Sequence, residues 1–387
     1  MPDQTPPTPP GALLITRNLP PLVGGMERLV WHLVDALAQD YRVHVIGPAG
    51  CAAHLPTGVT ANEIPITPLW RFLLRTKWQA LLQAWRLRPK VILAGSGLTA
   101  PFAWLAARLV GARCVVYLHG LDIEAQHLAY RILWRPFFKR FDRVFVNSRF
   151  TRELALNAGV PEARLQILHP GVTLPDSSQA EPARADFRRR HQLGAQPVLL
   201  YVGRITARKG LLPFIRDIFP LILQTRPDTR LVVIGDEPKW ALKQDNSLGA
   251  QIQHILKARG LTAQVDFLGE RAQDDPELSA AYFAADALIF PVQNTPGDNE
   301  GFGMVAIEAA AHGLPTVAFN AGGVGDAVAD GVSGRLVAAG DQAAFARAAL
   351  DLLAQAPDSA SVRRFAQQFA WPEFSAALTR GLNEASA

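Results

Sequence analysis

Short runs of aliphatic and β-branched residues alternate with longer amphipathic stretches along the chain. In the first half the pattern predicts strands at 12–16, 42–47, 91–94, 113–118, 143–147 and 165–168, with helices such as 26–39, 98–110 and 149–158. In the second half it predicts strands at 197–203, 230–235, 264–269, 287–291, 315–319 and 334–337. Strands that alternate with helices in this way are typical of parallel sheets in doubly wound α/β domains.

The length of 387 residues suits two domains, and 49% hydrophobic against 19% charged residues allows two sizeable cores and excludes disorder. The polar, turn-rich stretch 175–197 separates the two halves. We therefore predict domains over 11–180 and 195–370. Since open α/β sheets bind ligands at the carboxyl ends of their strands, two such domains facing each other would hold a ligand in the cleft between them.

Composition excludes several classes of protein. The two cysteines, Cys51 and Cys114, are too few for a disulfide scaffold or a cysteine-based zinc cluster, so a reducing, cytoplasmic setting is expected. The most apolar long stretch, 98–118, contains Arg108 and Arg113 and is not a membrane span. The first ten residues lack the features of a signal peptide and are expected to form a short disordered lead-in.

The glycine-rich segment 291–323 is the most informative candidate site. A strand end, a polar loop with Gly301 and Gly303, and a helix from Met304 to Gly313 follow one another there. The free N–H groups at such a helix start attract anions. Glu300 precedes the helix and Glu308 lies one turn into it, where carboxylates can accept hydrogen bonds from sugar hydroxyls. The alternative is that both are solvated surface residues.

A second candidate site is the loop GRITARKG, which begins at Gly203 directly after a predicted strand. Arg204 and Lys209 flank this loop, and a guanidinium with an ammonium can hold a diphosphate from two sides. The alternative is a solvated basic turn.

Two weaker signals lie in the first half. Gly24 and Gly25 precede an amphipathic helix, which suits a close backbone approach to phosphate or simply a tight turn. His119 ends an apolar strand and is followed by glycine. It could reach a ligand, or its imidazole could be satisfied by a backbone carbonyl.

Taken together, the glycine loop, the strand-end His119–Gly120, the GRITARKG loop and above all Glu300 and Glu308 around GFG resemble the retaining family-4 glycosyltransferases. The resemblance runs from about Gly11 to the last helix. It implies the GT-B fold, in which two Rossmann-like domains face each other and the second holds a nucleotide-sugar donor. Within the family, PVQNTPGDNEGFG is most similar to phosphatidylinositol mannosyltransferases and O-antigen mannosyl or rhamnosyl transferases, which use GDP-sugars. The helix 371–387 would pack back on the first domain.

The resemblance also implies roles for single residues. Glu300 would hold hydroxyls of the transferred sugar, and Glu308 the ribose hydroxyls. Arg204 and Lys209 would clamp the diphosphate, and His119 would lie at the reacting sugar. The remaining expected donor contacts are Gly24, Gly25, Gly203, Val265, Phe267, Leu268, Gly301, Phe302, Gly303 and Val305. The loop at Gly235 and Asp236 lacks a second glycine that many members have, which weakens its assignment.

The expected reaction is hexosyl transfer (EC 2.4.1.-) with retention of configuration, and no protein nucleophile is assigned. Because the chain has no Asp-x-Asp sequence, we predict metal-independent transfer, with no cofactor besides the donor substrate. GDP-mannose is the first choice of donor and a UDP-sugar the second. A GT-B sugar-nucleotide epimerase and a non-catalytic sugar-nucleotide-binding subunit stay open as alternatives.

Charge adds an expectation about the acceptor. Residues 1–194 contain 23 Lys and Arg against 13 Asp and Glu, whereas the remainder contains 16 against 21. The segments 70–90 and 130–143 are both basic and aromatic, as in interfacial membrane anchors or core-packed helices with a solvated face. We expect an anionic membrane surface and a lipid-linked or glycan acceptor of cell-surface or lipopolysaccharide synthesis, at the inner face of the plasma membrane. Nucleic acid is not expected, because no known binding module accompanies the charge.

Overall fold

The structure, a computed structural model, describes residues 9–237 and 248–384. The chain divides into two compact units, Met1–Gly171 with Trp371–Ala387, and Val172–Ala370. Most of the expected lead-in (1–8), the last three residues of the predicted helix 371–387 and the residues that follow Glu237 in the weakly assigned loop lie outside the described residues.

The first unit is built on a seven-stranded parallel sheet of order β3-β2-β1-β4-β5-β6-β7. Its strands are β1 Gly11–Ile15, β2 Arg42–Pro48, β3 Thr60–Ile64, β4 Val91–Ala94, β5 Arg113–Leu118, β6 Arg143–Val146 and β7 Leu165–Ile167. Its helices begin with α1 Gly25–Asp40, α2 Leu69–Leu87, α3 Ala100–Val110, α4 Leu121–Glu124, α5 Leu128–Leu133, α6 Arg135–Phe138 and α7 Arg149–Asn157. Alternate residues of the central strands are buried on the two faces of the sheet, which explains their nearly continuous apolar sequences.

The second unit contains a six-stranded parallel sheet of order β10-β9-β8-β11-β12-β13. Its strands are β8 Val198–Val202, β9 Arg230–Ile234, β10 Val265–Phe267, β11 Ala287–Phe290, β12 Thr316–Asn320 and β13 Gly334–Ala338. Its helices are α8 Ala180–Arg190, α9 Leu211–Pro213, α10 Phe219–Thr225, α11 Leu248–Ala258, α12 Pro276–Ala284, α13 Met304–Ala311, α14 Val324–Ala327, α15 Gln342–Ala354 and α16 Ser359–Gln367. A π-helical turn, Phe214–Ile218, joins α9 to α10.

The last helix, α17 Trp371–Glu384, belongs to the first unit and packs on α1. The ring of Trp371 stacks on His32 with centroids 3.4 Å apart, and Phe374, Leu378 and Leu382 are buried in the same core as α1. Burial and the nearby Arg28 lower the pKa of His32 to about 4, so its ring is neutral in this stack at neutral pH.

The predicted α/β class is confirmed, and the twelve predicted strands are present with ends within two residues of those expected. β3 was not predicted, because its sequence TANEI lacks an apolar run, as is expected for a strand at the edge of the sheet. The predicted boundary also needs correction, because α8 packs on the second unit. There Arg184 and Arg188 both bind Asp286, at 2.7 and 2.8 Å.

No helix in the described part of the chain combines the length and apolarity needed to cross a bilayer.

The strand order of the second sheet places two loops side by side. β8 and β11 are neighbouring parallel strands, so the loops that follow them leave the same edge of the sheet. The Gln293 N–H donates to the Arg208 carbonyl at 2.8 Å, which joins the two loops. Gly210 has φ 73°, and a Cβ there would lie 1.9 Å from the Pro291 carbonyl oxygen.

We therefore expect Gly210→Ala to destabilise the second unit by about 3 kcal/mol or more, since it adds a backbone clash to an unfavourable φ. The control is Gly260→Ala, where φ is 67° but a Cβ would meet nothing within 4 Å. It should cost only about 1–2 kcal/mol. Urea unfolding of both variants measures the difference, and equal losses would show that the two loops are not closely packed.

Candidate active site

A buried ion cluster joins the loop after β8 to the loop after β11. The Nζ of Lys209 lies 2.8 Å from Oε2 of Glu300, and the guanidinium of Arg208 binds the same carboxylate oxygen. The Nε of Arg208 also lies 3.1 Å from Asp298, whose side chain is half exposed. The side chains of Lys209 and Glu300 are each only 13% exposed, so both charges are largely withdrawn from water.

Burial and charge act in opposite directions on these groups. Burial alone would raise the pKa of Glu300, but the charges and hydrogen bonds of Lys209 and Arg208 outweigh it and bring the pKa to about 2. For Lys209, burial and the neighbouring Arg208 and Arg204 lower the pKa, while Glu300 opposes them. The carboxylate is thus ionised at neutral pH and stabilises two cations that burial disfavours.

Backbone contacts fix Glu300 in this position. Its carbonyl accepts a hydrogen bond of 2.8 Å from Gly323 N–H, in the turn after β12. At Gly322, with φ 56°, a Cβ would lie 2.3 Å from the same carbonyl oxygen, so only glycine fits there. On the other side of the cluster, the Lys209 ammonium lies 5.0 Å from the centre of the Phe290 ring. Turns after β8 and β12 and the end of β11 therefore define the cluster.

The two predicted clamp residues differ in their surroundings. Lys209 lies within the cluster, whereas Arg204 is exposed. The charge of Arg204 helps to lower the pKa of Lys209. The Arg204 carbonyl accepts a hydrogen bond from Tyr201 Oη at 3.1 Å. Arg208 was not predicted as a site residue. Its position next to Lys209 in the loop GRITARKG is the feature of the sequence that could have identified it. A tight turn, in which Lys209 N–H donates to the Thr206 carbonyl, lets both side chains reach Glu300.

The start of α13 follows directly on the cluster. Gly303 precedes the helix with φ 103°, and a Cβ there would lie 2.9 Å from the Phe290 ring. The side chain of Phe302 is buried against Phe369, with ring centroids 5.7 Å apart, which leaves only its backbone as a possible ligand contact. Val305 is partly buried against the core. A helix therefore starts where it was predicted, and anion binding at its start stays a prediction.

Glu308 is not the solvated surface residue of the alternative interpretation, since only 4% of it is exposed. Its Oε2 accepts a hydrogen bond of 2.9 Å from Tyr282 Oη on α12. His312 bonds the Glu308 carbonyl through Nδ1 and Ser279 through Nε2. Tyr282 is a second residue that sequence analysis missed, because nothing in the sequence around it signals a polar contact with α13.

The other expected donor contacts of the second unit lie along its sheet. Val265 and Phe267 belong to β10, an edge strand, and Leu268 donates its N–H to the Val233 carbonyl. Gly203 follows β8 with φ 143°, and no atom lies within 4 Å of a Cβ built on it. The Asp236 carbonyl accepts a hydrogen bond from Ile205 N–H at 2.9 Å, just before the residues outside the described range.

In the first unit, His119 lies at the carboxyl end of β5 and only 5% of it is exposed. Its Nε2 bonds the Gly95 carbonyl at 2.8 Å, which is the contact of the structural alternative. Because a carbonyl can only accept, Nε2 donates a proton in this contact. Gly24 and Gly25 stand at the start of α1, where Glu27 accepts a hydrogen bond from Asn18 at 2.8 Å.

Comparison with known proteins identifies the family. Residues 23–175 match the model described as Glycosyltransferase Family 4, and residues 196–355 match Glycosyl transferases group 1. A GDP-mannose-dependent alpha-(1-6)-phosphatidylinositol monomannoside mannosyltransferase of Mycolicibacterium smegmatis is 30% identical over 88% of this chain and 89% of its own. The chain belongs to the family-4 glycosyltransferases.

Two further comparisons extend this result. A D-inositol 3-phosphate glycosyltransferase of Mycobacterium sp. (strain JLS) is 33% identical over 59% of this chain and 48% of its own. The crystal structure of Anabaena Alr3699/HepE in complex with UDP has a TM-score of 0.79 at 20% identity, covering 97% of this chain and 100% of its own. The GT-B fold predicted for the chain is therefore confirmed. The roles of single site residues stay predictions.

Among the residues that the structure describes, no three His, Cys, Asp or Glu side chains come together as ligands for a metal ion.

The depressed pKa of Glu300 predicts a pH-dependent stability. A carboxylate whose folded pKa lies near 2 stabilises the fold above its ordinary value of 4.5, and the contribution disappears as pH falls from 4.5 towards 2. Glu300→Gln should therefore cost about 3 kcal/mol at pH 7 and less than half of that near pH 3.

Urea unfolding across this pH range measures the effect. The control, Glu270→Gln, removes an exposed carboxylate of the same unit and should show little change at any pH. A Glu300→Gln penalty that stayed constant from pH 7 to 3 would contradict the ion cluster as the cause.

Proposed function

We propose that the protein is a retaining hexosyltransferase that moves mannose or a related hexose from a GDP-sugar to a lipid-linked or glycan acceptor. The observation that supports this most is the cluster of Arg208, Lys209 and Glu300 at the carboxyl edge of the second sheet. It combines cations for a diphosphate with a carboxylate for sugar hydroxyls. The donor is inferred from the Mycolicibacterium smegmatis relative, whose name specifies GDP-mannose.

In the proposed reaction the diphosphate of the donor replaces Glu300 as the counterion of Lys209 and Arg208. The released carboxylate then accepts hydrogen bonds from the transferred sugar. The bond between the anomeric carbon and the leaving phosphate oxygen breaks, and a bond to the acceptor oxygen forms on the same face. The acceptor's proton passes to the leaving phosphate, so the step balances without a protein nucleophile. Fixed cations and the amides at the start of α13 stabilise the charge that grows on the leaving group.

The remaining assignments follow from the family resemblance. Glu308 is proposed to hold the ribose hydroxyls, Arg204 to complete the diphosphate clamp, and His119 to contact the transferred sugar. Transfer is proposed to need no metal, because the fixed cations supply the positive charge at the diphosphate. The setting is proposed to be the cytoplasm or the inner face of the plasma membrane, in glycolipid or lipopolysaccharide synthesis.

Nucleotide release from GDP-mannose, GDP-rhamnose and UDP-glucose, with and without a bacterial lipid extract, tests the proposal. Acceptor-dependent release of GDP, undiminished by EDTA, is expected. Release from the UDP-sugar alone would replace the donor assignment, and loss of activity with EDTA would refute metal independence. Conversion of the sugar without transfer would indicate an epimerase. The anomeric configuration of the product, determined by NMR, tests retention.

Removal of either buried cation should slow the reaction itself. We expect Lys209→Ala and Arg208→Ala each to lower kcat about a hundredfold, as expected for losing one donor to the leaving group. The exposed Arg189 of α8, changed to alanine, is the matched control and should leave kcat unchanged. Steady-state kinetics measure all three, and wild-type turnover in the Lys209 variant would defeat the proposed role of the cluster.

The hydrogen bond from Tyr282 to Glu308 should affect nucleotide binding more than turnover. Tyr282→Phe leaves Glu308 less well positioned, and we expect KM for the donor to rise about tenfold with kcat little changed. Tyr117→Phe, which removes a buried hydrogen bond to the Leu168 carbonyl in the first unit, is the control and should leave KM unaltered. A fall in kcat at constant KM would argue against ribose recognition by Glu308.

A further inference from the structure

Helix α2 has two apolar stripes on opposite sides. Its buried side repeats every four residues at Phe72, Thr76, Ala80 and Ala84, which pack into the first unit. The residues Trp70, Leu74, Trp78 and Leu82 repeat at the same interval but are displaced by two positions, about 200° around the helix. These side chains are exposed, Trp78 by 72% and Trp70 by 58%, and Trp85 extends the stripe with another 58%. The core therefore accounts for only one of the two stripes.

Neighbouring helices on the same face of the sheet also expose apolar side chains. α2 packs on α3, α3 on α6, and α6 on α5, and all but α5 contribute buried residues to the same core. On α3 the exposed apolar residues are Leu105 and Leu109, and on α5 they are Leu128, Ile132 and Leu133. We call the stripe of α2 and these five residues the outer apolar surface. Monomeric proteins rarely expose so many large apolar side chains on adjoining helices without a binding partner.

The segment that carries this surface is rich in cations and almost free of carboxylates. Residues 64–141 contain 12 Lys and Arg but only two acidic residues, Asp122 and Glu124. None of α2, α3, α5 and α6 contains an acidic residue. Beside α5, a groove of about 430 Å³ is lined by Arg131, Arg135 and Lys139 together with Leu128 and Ile132. Phosphate-sized anions would therefore meet three cations next to apolar side chains.

This combination identifies the class of partner. A second copy of the chain would bring like charges together across the surface, which disfavours self-association. An anionic phospholipid bilayer offers both complements, namely phosphate for the cations and an acyl boundary for Trp and Leu, and Trp prefers that boundary. We infer that the outer apolar surface and the adjoining groove of Arg131, Arg135 and Lys139 form a docking surface for an anionic phospholipid bilayer. This inference deepens the proposed membrane setting and rests on it.

Vesicle cosedimentation tests this surface without relying on catalysis. Wild-type protein is mixed with vesicles of phosphatidylcholine alone or with about 30 mol% phosphatidylglycerol, at low and high salt. We expect binding to the anionic vesicles only, weakened by salt. Combined Trp70→Ala, Trp78→Ala and Trp85→Ala should lower the partition coefficient at least tenfold. Combined Arg131→Gln, Arg135→Gln and Lys139→Gln should lower it about a hundredfold.

Matched controls change the same residue classes elsewhere. Leu174→Ala with Val332→Ala removes exposed apolar side chains of the second unit. Arg189→Gln, Arg226→Gln and Lys257→Gln removes two exposed cations and one half-buried cation of that unit. Both should bind vesicles as wild type does. Retention of GDP-induced thermal stabilisation shows that each variant is folded. Turnover on a water-soluble acceptor should be equal in all of them, so loss of transfer activity and loss of membrane binding are separate results.

Several results would overturn the inference. One is that the wild-type protein hardly binds anionic vesicles at low salt. Another is that the tryptophan variant or the cation variant binds them as strongly as the wild type. Binding of inorganic phosphate in the groove without vesicle binding would assign it to a soluble ligand. A dimer in sedimentation equilibrium that the tryptophan variant dissociates, again without vesicle binding, would show that the surface joins two copies.

Discussion

Two neighbouring parallel strands, β8 and β11, end at the same edge of the second sheet, and the candidate site depends on this adjacency. It brings the basic loop 203–210 against the acidic loop 291–303, although Lys209 and Glu300 are 91 positions apart. Buried cations are costly without a counterion, and two of them here share the carboxylate of Glu300, while the half-exposed Asp298 is a second partner of Arg208. The glycines at 210 and 322 are needed because the backbones of the adjoining turns approach too closely for any side chain.

The same contacts place a carboxylate where a diphosphate is proposed to bind. Without an anion, Lys209 and Arg208 would repel each other in a poorly solvated site. Glu300 prevents this at neutral pH because its pKa is held near 2. In the proposed cycle the diphosphate of the donor replaces the Glu300 carboxylate beside the two cations. Donor binding therefore does not leave either cation buried without a counterion. The carboxylate released by the exchange is then available to a sugar hydroxyl.

Sequence patterns predicted most of the architecture but only part of the site. The central strands, such as β4 and β5, were predictable because helices cover both faces and leave nearly unbroken apolar runs. The edge strand β3 was not predictable because its sequence is polar. The attachment of α8 to the second unit was not predictable either, because it depends on ion pairs to Asp286. Glu300, Glu308 and Lys209 were predicted because glycines lie beside them and because their spacing matches the family pattern. Arg208 and Tyr282 did not, because their partners become visible only when distant loops and helices meet.

A crystal structure of the protein with a bound nucleoside diphosphate tests the proposed exchange of anions most directly. The diphosphate is expected to contact Lys209 Nζ and the guanidinium of Arg208, with the Glu300 carboxylate moved away from at least one of them. A diphosphate bound elsewhere, with the 2.8 Å pair between Lys209 and Glu300 intact, would contradict it.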